Sequence, residues 1–275
     1  MKIYCARHSG FCFGVKRAIK MAMEATEKYQ SVYSFGPLIH NRDFVAELEE
    51  KGIKVIEDIK ELKGNGITVI IRSHGVRPAT LEKLKRRGVN IIDATCPKVR
   101  RAQLYAEKLK QEGYFVIIVG EKDHPEVKGL LGYAGKNSAI YSEDLKLRHK
   151  RIGIVPQTTL DFEHFYNAVR NLLPKVTEMK IYNTICDETI LRIKEALALA
   201  QKVDIMIVIG GKNSANTTRL YQICKSIKPA YHVESVNDID WAWFKGIKSV
   251  GITAGASTPE EQIAQVIDYL KKIGS

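Results

Sequence analysis

At 275 residues, with 45% hydrophobic and 27% charged side chains, the chain can bury a large core as one big domain or as two to three small ones. No run approaches the ~18 apolar residues of a membrane span, and Met1-Lys2-Ile3-Tyr4-Cys5 lacks the apolar stretch of a signal peptide, so a soluble, cytoplasmic protein is expected. The net charge of +12 favours an anionic partner, but basic clusters such as Lys83-Leu84-Lys85-Arg86-Arg87 come without a recognition-helix or zinc-finger pattern, which argues against nucleic acid.

Along the chain, short apolar runs alternate with amphipathic segments, the pattern of an α/β protein with mostly parallel sheets. Strands are expected at 2–6, 32–35, 54–56, 68–71, 90–92, 115–119, 152–155, 205–209 and 249–253. Pro78 and Pro97 suit first-turn positions of helices, and Gly88 and Gly113 suit C-terminal stops. Thr258-Pro259-Glu260-Glu261 reads as a capping box opening a helix with Ile263, Val266, Ile267 and Leu270 on its apolar face.

Polar motifs follow the expected strands. Ser73-His74-Gly75, Cys96, Asp123-His124-Pro125-Glu126, Gln157-Thr158-Thr159, Ser214-Ala215-Asn216 and Ala254-Gly255-Ala256-Ser257 all lie just beyond carboxyl ends. Open α/β sheets bind their ligands there. Gly210-Gly211-Lys212-Asn213-Ser214 and Ala254-Gly255-Ala256-Ser257 offer amides and hydroxyls ahead of helices, which suits a phosphate or diphosphate; neither matches a P-loop or dinucleotide fingerprint.

Five widely separated cysteines do not form a secreted disulfide framework. Cys5 and Cys224 read as buried packing residues. Cys12, Cys96 and Cys186 divide the chain into near-equal thirds, each where a helix begins. Helix N-termini stabilise thiolates, and three sulfur donors without close pairs fit an iron–sulfur cluster with one open iron better than structural zinc. Spacing alone leaves three unrelated core cysteines equally open. Among the histidines, His40, His74 and His124 sit in loop contexts suited to binding anions or metal. Glu126 is either a proton donor or an ordinary first-turn glutamate, and Thr158 either binds substrate or caps a helix. A zinc-dependent hydrolase of a phosphorylated small molecule and a non-catalytic nucleic-acid-binding protein are the competing readings.

Taken together and in order, Gly10-Phe11-Cys12-Phe13-Gly14-Val15, His40-Asn41, Ser73-His74-Gly75-Val76, Asp93-Ala94-Thr95-Cys96-Pro97, His124-Pro125-Glu126-Val127, Gln157-Thr158-Thr159-Leu160, Thr184-Ile185-Cys186, Lys212-Asn213-Ser214 and Thr253-Ala254-Gly255-Ala256-Ser257 resemble the 4-hydroxy-3-methylbut-2-enyl diphosphate reductase family of the non-mevalonate isoprenoid pathway. The resemblance implies a pseudo-threefold trefoil of three small α/β domains, 13–95, 96–185 and 186–275, the last joined by the strand in 1–12. It implies a [4Fe–4S] cluster held by Cys12, Cys96 and Cys186, with Glu126 and Thr158 catalytic. His40, His74, His124, Thr158, Ser214, Asn216 and Ser257 would bind the substrate, mostly its diphosphate. The implied reaction is reductive dehydroxylation to isopentenyl and dimethylallyl diphosphates, with electrons from a donor such as ferredoxin or flavodoxin. Ala215 departs from the Ser-Ser-Asn expected here, and one hydroxyl is missing.

Overall fold

The computed structural model describes every residue except His40, Asn213 and Ser275. Its strands are β1 (Lys2–Cys5), β2 (Ser31–Phe35), β3 (Ile53–Ile56), β4 (Ile67–Ile71), β5 (Asn90–Asp93), β6 (Phe115–Val119), β7 (Ser138–Ile140), β8 (Arg151–Pro156), β9 (Glu178–Ile181), β10 (Ile205–Ile209), β11 (Ala230–Val233) and β12 (Ser249–Ala254). Its α-helices are α1 (Phe13–Lys28), α2 (Arg42–Glu50), α3 (Pro78–Arg86), α4 (Pro97–Gln111), α5 (Pro125–Ala134), α6 (Phe162–Leu172), α7 (Asp187–Ala200), α8 (Ala215–Lys225) and α9 (Glu260–Gly274).

The strands form three four-stranded sheets, ordered β3-β2-β4-β5, β7-β6-β8-β9 and β1-β12-β10-β11, and every pairing is parallel. By contacts the chain divides into two compact units. Met1–Lys16, Ile39–Leu48 and Ile190–Ser275 carry the third sheet; Arg17–Leu38 and Glu49–Thr189 carry the other two.

One connectivity recurs. Counting strands in chain order within a sheet, the first two sheets both run second, first, third, fourth. In the third sheet β11-β10-β12 repeats this order, and β1 occupies the fourth place. The strand order reverses between β2 and β4, between β6 and β8, and between β10 and β12, so each sheet has a crevice at those carboxyl ends. The fourth strand of each sheet, β5, β9 or β1, leads into the loop carrying Cys96, Cys186 or Cys12.

Central strands are apolar on both faces because helices cover both; β4 (ITVII) and β10 (IMIVI) are buried throughout. In the second sheet, Ala102, Ala106 and Leu109 of α4 pack with Val127 and Leu130 of α5 over Val116, Ile118 and Val155. Gly153 makes this close approach possible, since a Cβ there would lie 2.6 Å from a Leu109 methyl. In the third sheet, Ile207, Ile209, Ile252 and Ala254 pack against Ile263, Val266 and Leu270 of α9 on one side. On the other, Met206 and Val208 meet Ala196, Ala200, Leu220 and Cys224. Pro78 and Pro97 open α3 and α4 as expected, and Gly88 and Gly113 follow their ends with φ of 72° and 78°.

Two sequence expectations need correction. Strands β7, β9 and β11 were not anticipated; all are sheet edges, β7 and β9 bury no residue and β11 buries only Ala230 and Val233, so their apolar signal is weak. Cys5 is exposed rather than packed, because β1 is also an edge strand. Cys224 keeps its packing role, fully buried in the α8 face with its thiol pushed up to about 12 by that burial.

Candidate active site

In the unit carrying the first two sheets, four sequence-predicted side chains come together. His124 caps α5, its Nδ1 accepting from the Glu126 backbone N–H at 3.2 Å. Pro125 at the first helical position then turns Glu126 inward, where it is 1% exposed. The Thr158 backbone N–H donates to Glu126 Oε1 at 2.6 Å and the Thr158 hydroxyl to Oε2 at 2.8 Å. Burial dominates those bonds and pushes the carboxyl from 4.5 up to about 7. The His74 ring meets that of His124 edge-on, with centroids 5.2 Å apart.

The loops delivering these groups are fastened across the crevices. Gln157 N–H donates to Val119 O at 2.8 Å, and Gln157 Oε1 accepts from Glu121 N–H at 3.0 Å, tying the end of β8 to that of β6. Gly75 holds the turn after His74 at φ +69°, and a Cβ would strike Gln103 Nε2 at 2.3 Å.

Two cysteines adjoin this group through the backbone. Cys96 N–H donates to Ser73 O at 2.9 Å, and Cys186 N–H donates to Thr158 O at 2.7 Å. Cys96 caps α4 ahead of Pro97, while Cys186 immediately precedes α7. Lys98 and Asp187, in the first turns of those helices, pair at 2.9 Å. This bond and the charge of Asp187 raise the Lys98 pKa, with the Cys186 thiol adding to the effect.

In the other unit, Cys12 precedes α1, and its N–H donates to Ala256 O at 3.4 Å. Ser214 caps α8, accepting from Thr217 N–H at 3.4 Å and from its hydroxyl at 3.1 Å. Asn216 and Ser257 are half-buried at the same strand ends. Thr258, expected as a helix cap, donates its hydroxyl to Ile209 O at 3.1 Å and so fastens β12's loop to β10. His40 lies outside the described residues.

Cys12, Cys96 and Cys186 are half-buried, each heads a helix, and no disulfide is present among the described residues. Helix-initial thiols with their backbone N–H groups already engaged suit a soft metal centre as donors. Among the described residues, no three His, Cys, Asp or Glu side chains stand together as a set that could hold a metal ion. Cys12 belongs to one unit, Cys96 and Cys186 to the other.

Sequence reasoning overlooked Arg192, which is 8% exposed on α7 and donates to Ala254 O at 2.5 Å and Gly10 O at 2.9 Å. A signal was present: Arg192, Ala196 and Ala200 form the buried stripe of α7, and an arginine in such a stripe needs acceptors.

These features define a parallel-sheet α/β protein with cysteine-headed helices and a buried, readily protonated carboxylic acid at its strand ends. A model of the LytB protein family matches residues 3–271, and the chain belongs to that family. A protein of Geobacter sulfurreducens named 4-hydroxy-3-methylbut-2-enyl diphosphate reductase is 48% identical, over 99% of this chain and 98% of its own. One of the same name from Geobacter metallireducens is also 48% identical, over 100% and 99%. A solved structure of (E)-4-hydroxy-3-methyl-but-2-enyl diphosphate reductase, described as the terminal enzyme of the non-mevalonate pathway, is similar with TM-score 0.77 and 45% identity, covering 99% of this chain and all of its own. The reductase of Plasmodium falciparum is similar with TM-score 0.92 and 28% identity, covering 98% and 88%.

Proposed function

We infer that this protein is a 4-hydroxy-3-methylbut-2-enyl diphosphate reductase, an oxidoreductase that removes the substrate hydroxyl as water with two electrons and two protons, leaving isopentenyl or dimethylallyl diphosphate. The observation that carries the reading is the match along the whole chain to proteins of that name. The buried Glu126–Thr158 pair supports it, because the reaction needs a proton source in a dry setting. The zinc-hydrolase alternative has no support in the family.

In this reading Cys12, Cys96 and Cys186 hold a [4Fe–4S] cluster. When bound, the cluster supplies electrons and a Lewis-acidic iron without a protein ligand. The rest is done by the chain's own side chains. Below about pH 7 Glu126 holds a proton despite neutral surroundings, because burial penalises its charged form. When that proton sits on Oε2, it points at Thr158 Oγ1 and turns the threonine hydroxyl outward, where it can donate to the departing oxygen. Thr158 therefore relays what Glu126 stores. His124, whose Nδ1 caps α5, can turn its Nε2 toward a diphosphate oxygen. His74 joins it, and His40, Ser214, Asn216 and Ser257 complete the substrate-binding set. We place the enzyme in the cytoplasm, with a donor such as ferredoxin or flavodoxin; no helix among the described residues is long and apolar enough to cross a membrane.

Anaerobic purification followed by iron and sulfide analysis and turnover of the allylic alcohol diphosphate tests the reading. The expected outcome is a brown protein, bleached on reduction, that releases both products. Colourless, iron-free protein that fails to take up iron and sulfide would refute it.

A further inference from the structure

Beside each of the three cysteines a cation grips the chain, and each cation is carried by a helix headed by another of the three. Arg17, on the helix after Cys12, donates to Thr95 O at 3.2 Å, one residue before Cys96. Lys98, on the helix after Cys96, pairs with Asp187, one residue after Cys186. Arg192, on the helix after Cys186, donates to Gly10 O, two residues before Cys12.

The third contact is the most elaborate. Arg192 is buried, and its second nitrogen takes Ala254 O at the end of β12. Three residues further along α7, Glu195 accepts from the His8 backbone N–H at 2.8 Å, and its other oxygen lies 3.0 Å from His8 Nδ1. One helix face thus takes a donor and an acceptor from the same loop, on either side of Ser9. The loop is sharply bent there: Gly10 has φ +80°, and a Cβ would stand 2.9 Å from an Ile263 methyl and 3.1 Å from Thr258 O. Packing alone does not explain a guanidinium on this stripe, since an aliphatic side chain would fill it without the cost of desolvating a charge.

We propose that Arg192 is a positioning residue for Cys12, assisted by Glu195. Together they hold the loop ahead of α1 so that the thiol is presented with little ordering cost when the cluster binds. The proposal rests on the reading of Cys12 as a cluster ligand, and its test separates the two.

Full-length protein and its variants are reconstituted anaerobically with iron and sulfide. Iron release to excess EDTA, the EPR spectrum of the dithionite-reduced cluster and urea unfolding are then measured side by side. Losing a charge-assisted hydrogen bond should speed iron release about tenfold in Arg192→Met and alter the EPR line shape, with Arg192→Lys in between. Glu195→Ala, at a half-exposed side chain, should speed release about threefold. Wild-type release and spectra in Arg192→Met and Glu195→Ala overturn the proposal, even if urea unfolding shows lower stability. Should Arg192→Met not fold, Arg192→Lys and Glu195→Ala decide by the same two readouts. Separately, Cys12→Ser should lose iron; a full iron load in that variant refutes the ligand assignment, whatever the clamp variants do.

Discussion

Glu126→Gln isolates the buried carboxyl from everything around it. The amide keeps the shape, and its Oε1 can still accept from Thr158 N–H; its Nε2 donates to Thr158 Oγ1 once that hydroxyl rotates, so both native contacts keep a hydrogen bond. What disappears is the titration. The native carboxyl stands at about 7 against an ordinary 4.5, a difference of about 2.5 pH units, or ~3 kcal/mol. Between those values the native state retains a proton that the unfolded chain gives up. Wild-type stability therefore falls as pH rises through the window, by about 1.4 kcal/mol per unit, and above it carries a constant penalty of ~3 kcal/mol. The variant has no such slope. Urea unfolding of cluster-free wild type and variant, from about pH 4.5 to about pH 8, should show their stability difference moving by ~3 kcal/mol in the variant's favour. Wild-type turnover should fall as pH passes about 7, and the variant's should be low throughout. A stability difference independent of pH would refute the reasoning, for it would mean that Glu126 titrates near its ordinary value.

Thr158→Val removes both the relay hydroxyl and one hydrogen bond that favours the carboxylate, so turnover should fall at every pH, the falling limb of the residual pH–rate profile should move to higher pH, and stability should drop by about 1–3 kcal/mol at neutral pH; Thr158→Ser should restore all three. Gly255→Ala should lower the thermal midpoint, because its Cβ would lie 2.1 Å from Thr217 Oγ1, itself hydrogen-bonded to Ser214. Mass spectrometry after iodoacetamide should find Cys5 alkylated and Cys224 untouched in native protein, since one is exposed and the other buried with a thiol near 12. Asp187→Asn should change global stability by less than about 1 kcal/mol, because its ion pair with Lys98 is exposed to water.

The central strands were legible because burial on both faces writes an uninterrupted apolar run, as in Phe115-Val116-Ile117-Ile118-Val119. The edge strands β7, β9 and β11 have no such signature, unlike the edges β1, β3 and β5: Glu178-Met179-Lys180-Ile181 earns its place from hydrogen bonds to β8, which no residue pattern announces. Helix starts were legible through Pro78, Pro97 and Pro125, whose rings suit only the first turn. The choice between proton donor and ordinary first-turn glutamate at position 126 was not, because it turns on Thr158, 32 residues away, and on burial by β6 and β8. Arg192 was hidden for a similar reason: its partners are carbonyls of Gly10 and Ala254, which look like any other backbone in a sequence. Cys5 is exposed because membership of a strand does not bring burial at a sheet edge.

The pairing of β1 with β12 also bears on synthesis. The other two sheets close within contiguous stretches of chain and can be finished in the order they leave the ribosome, whereas Lys2–Cys5 must wait for Ser249–Ala254. At ~5–20 residues per second, that wait is on the order of 12 to 50 s. Until then the loop bearing the first of the three cysteines has no strand to hang from. On the proposed reading of Cys12 as a cluster ligand, its loop is therefore anchored only once Ser249–Ala254 has been made.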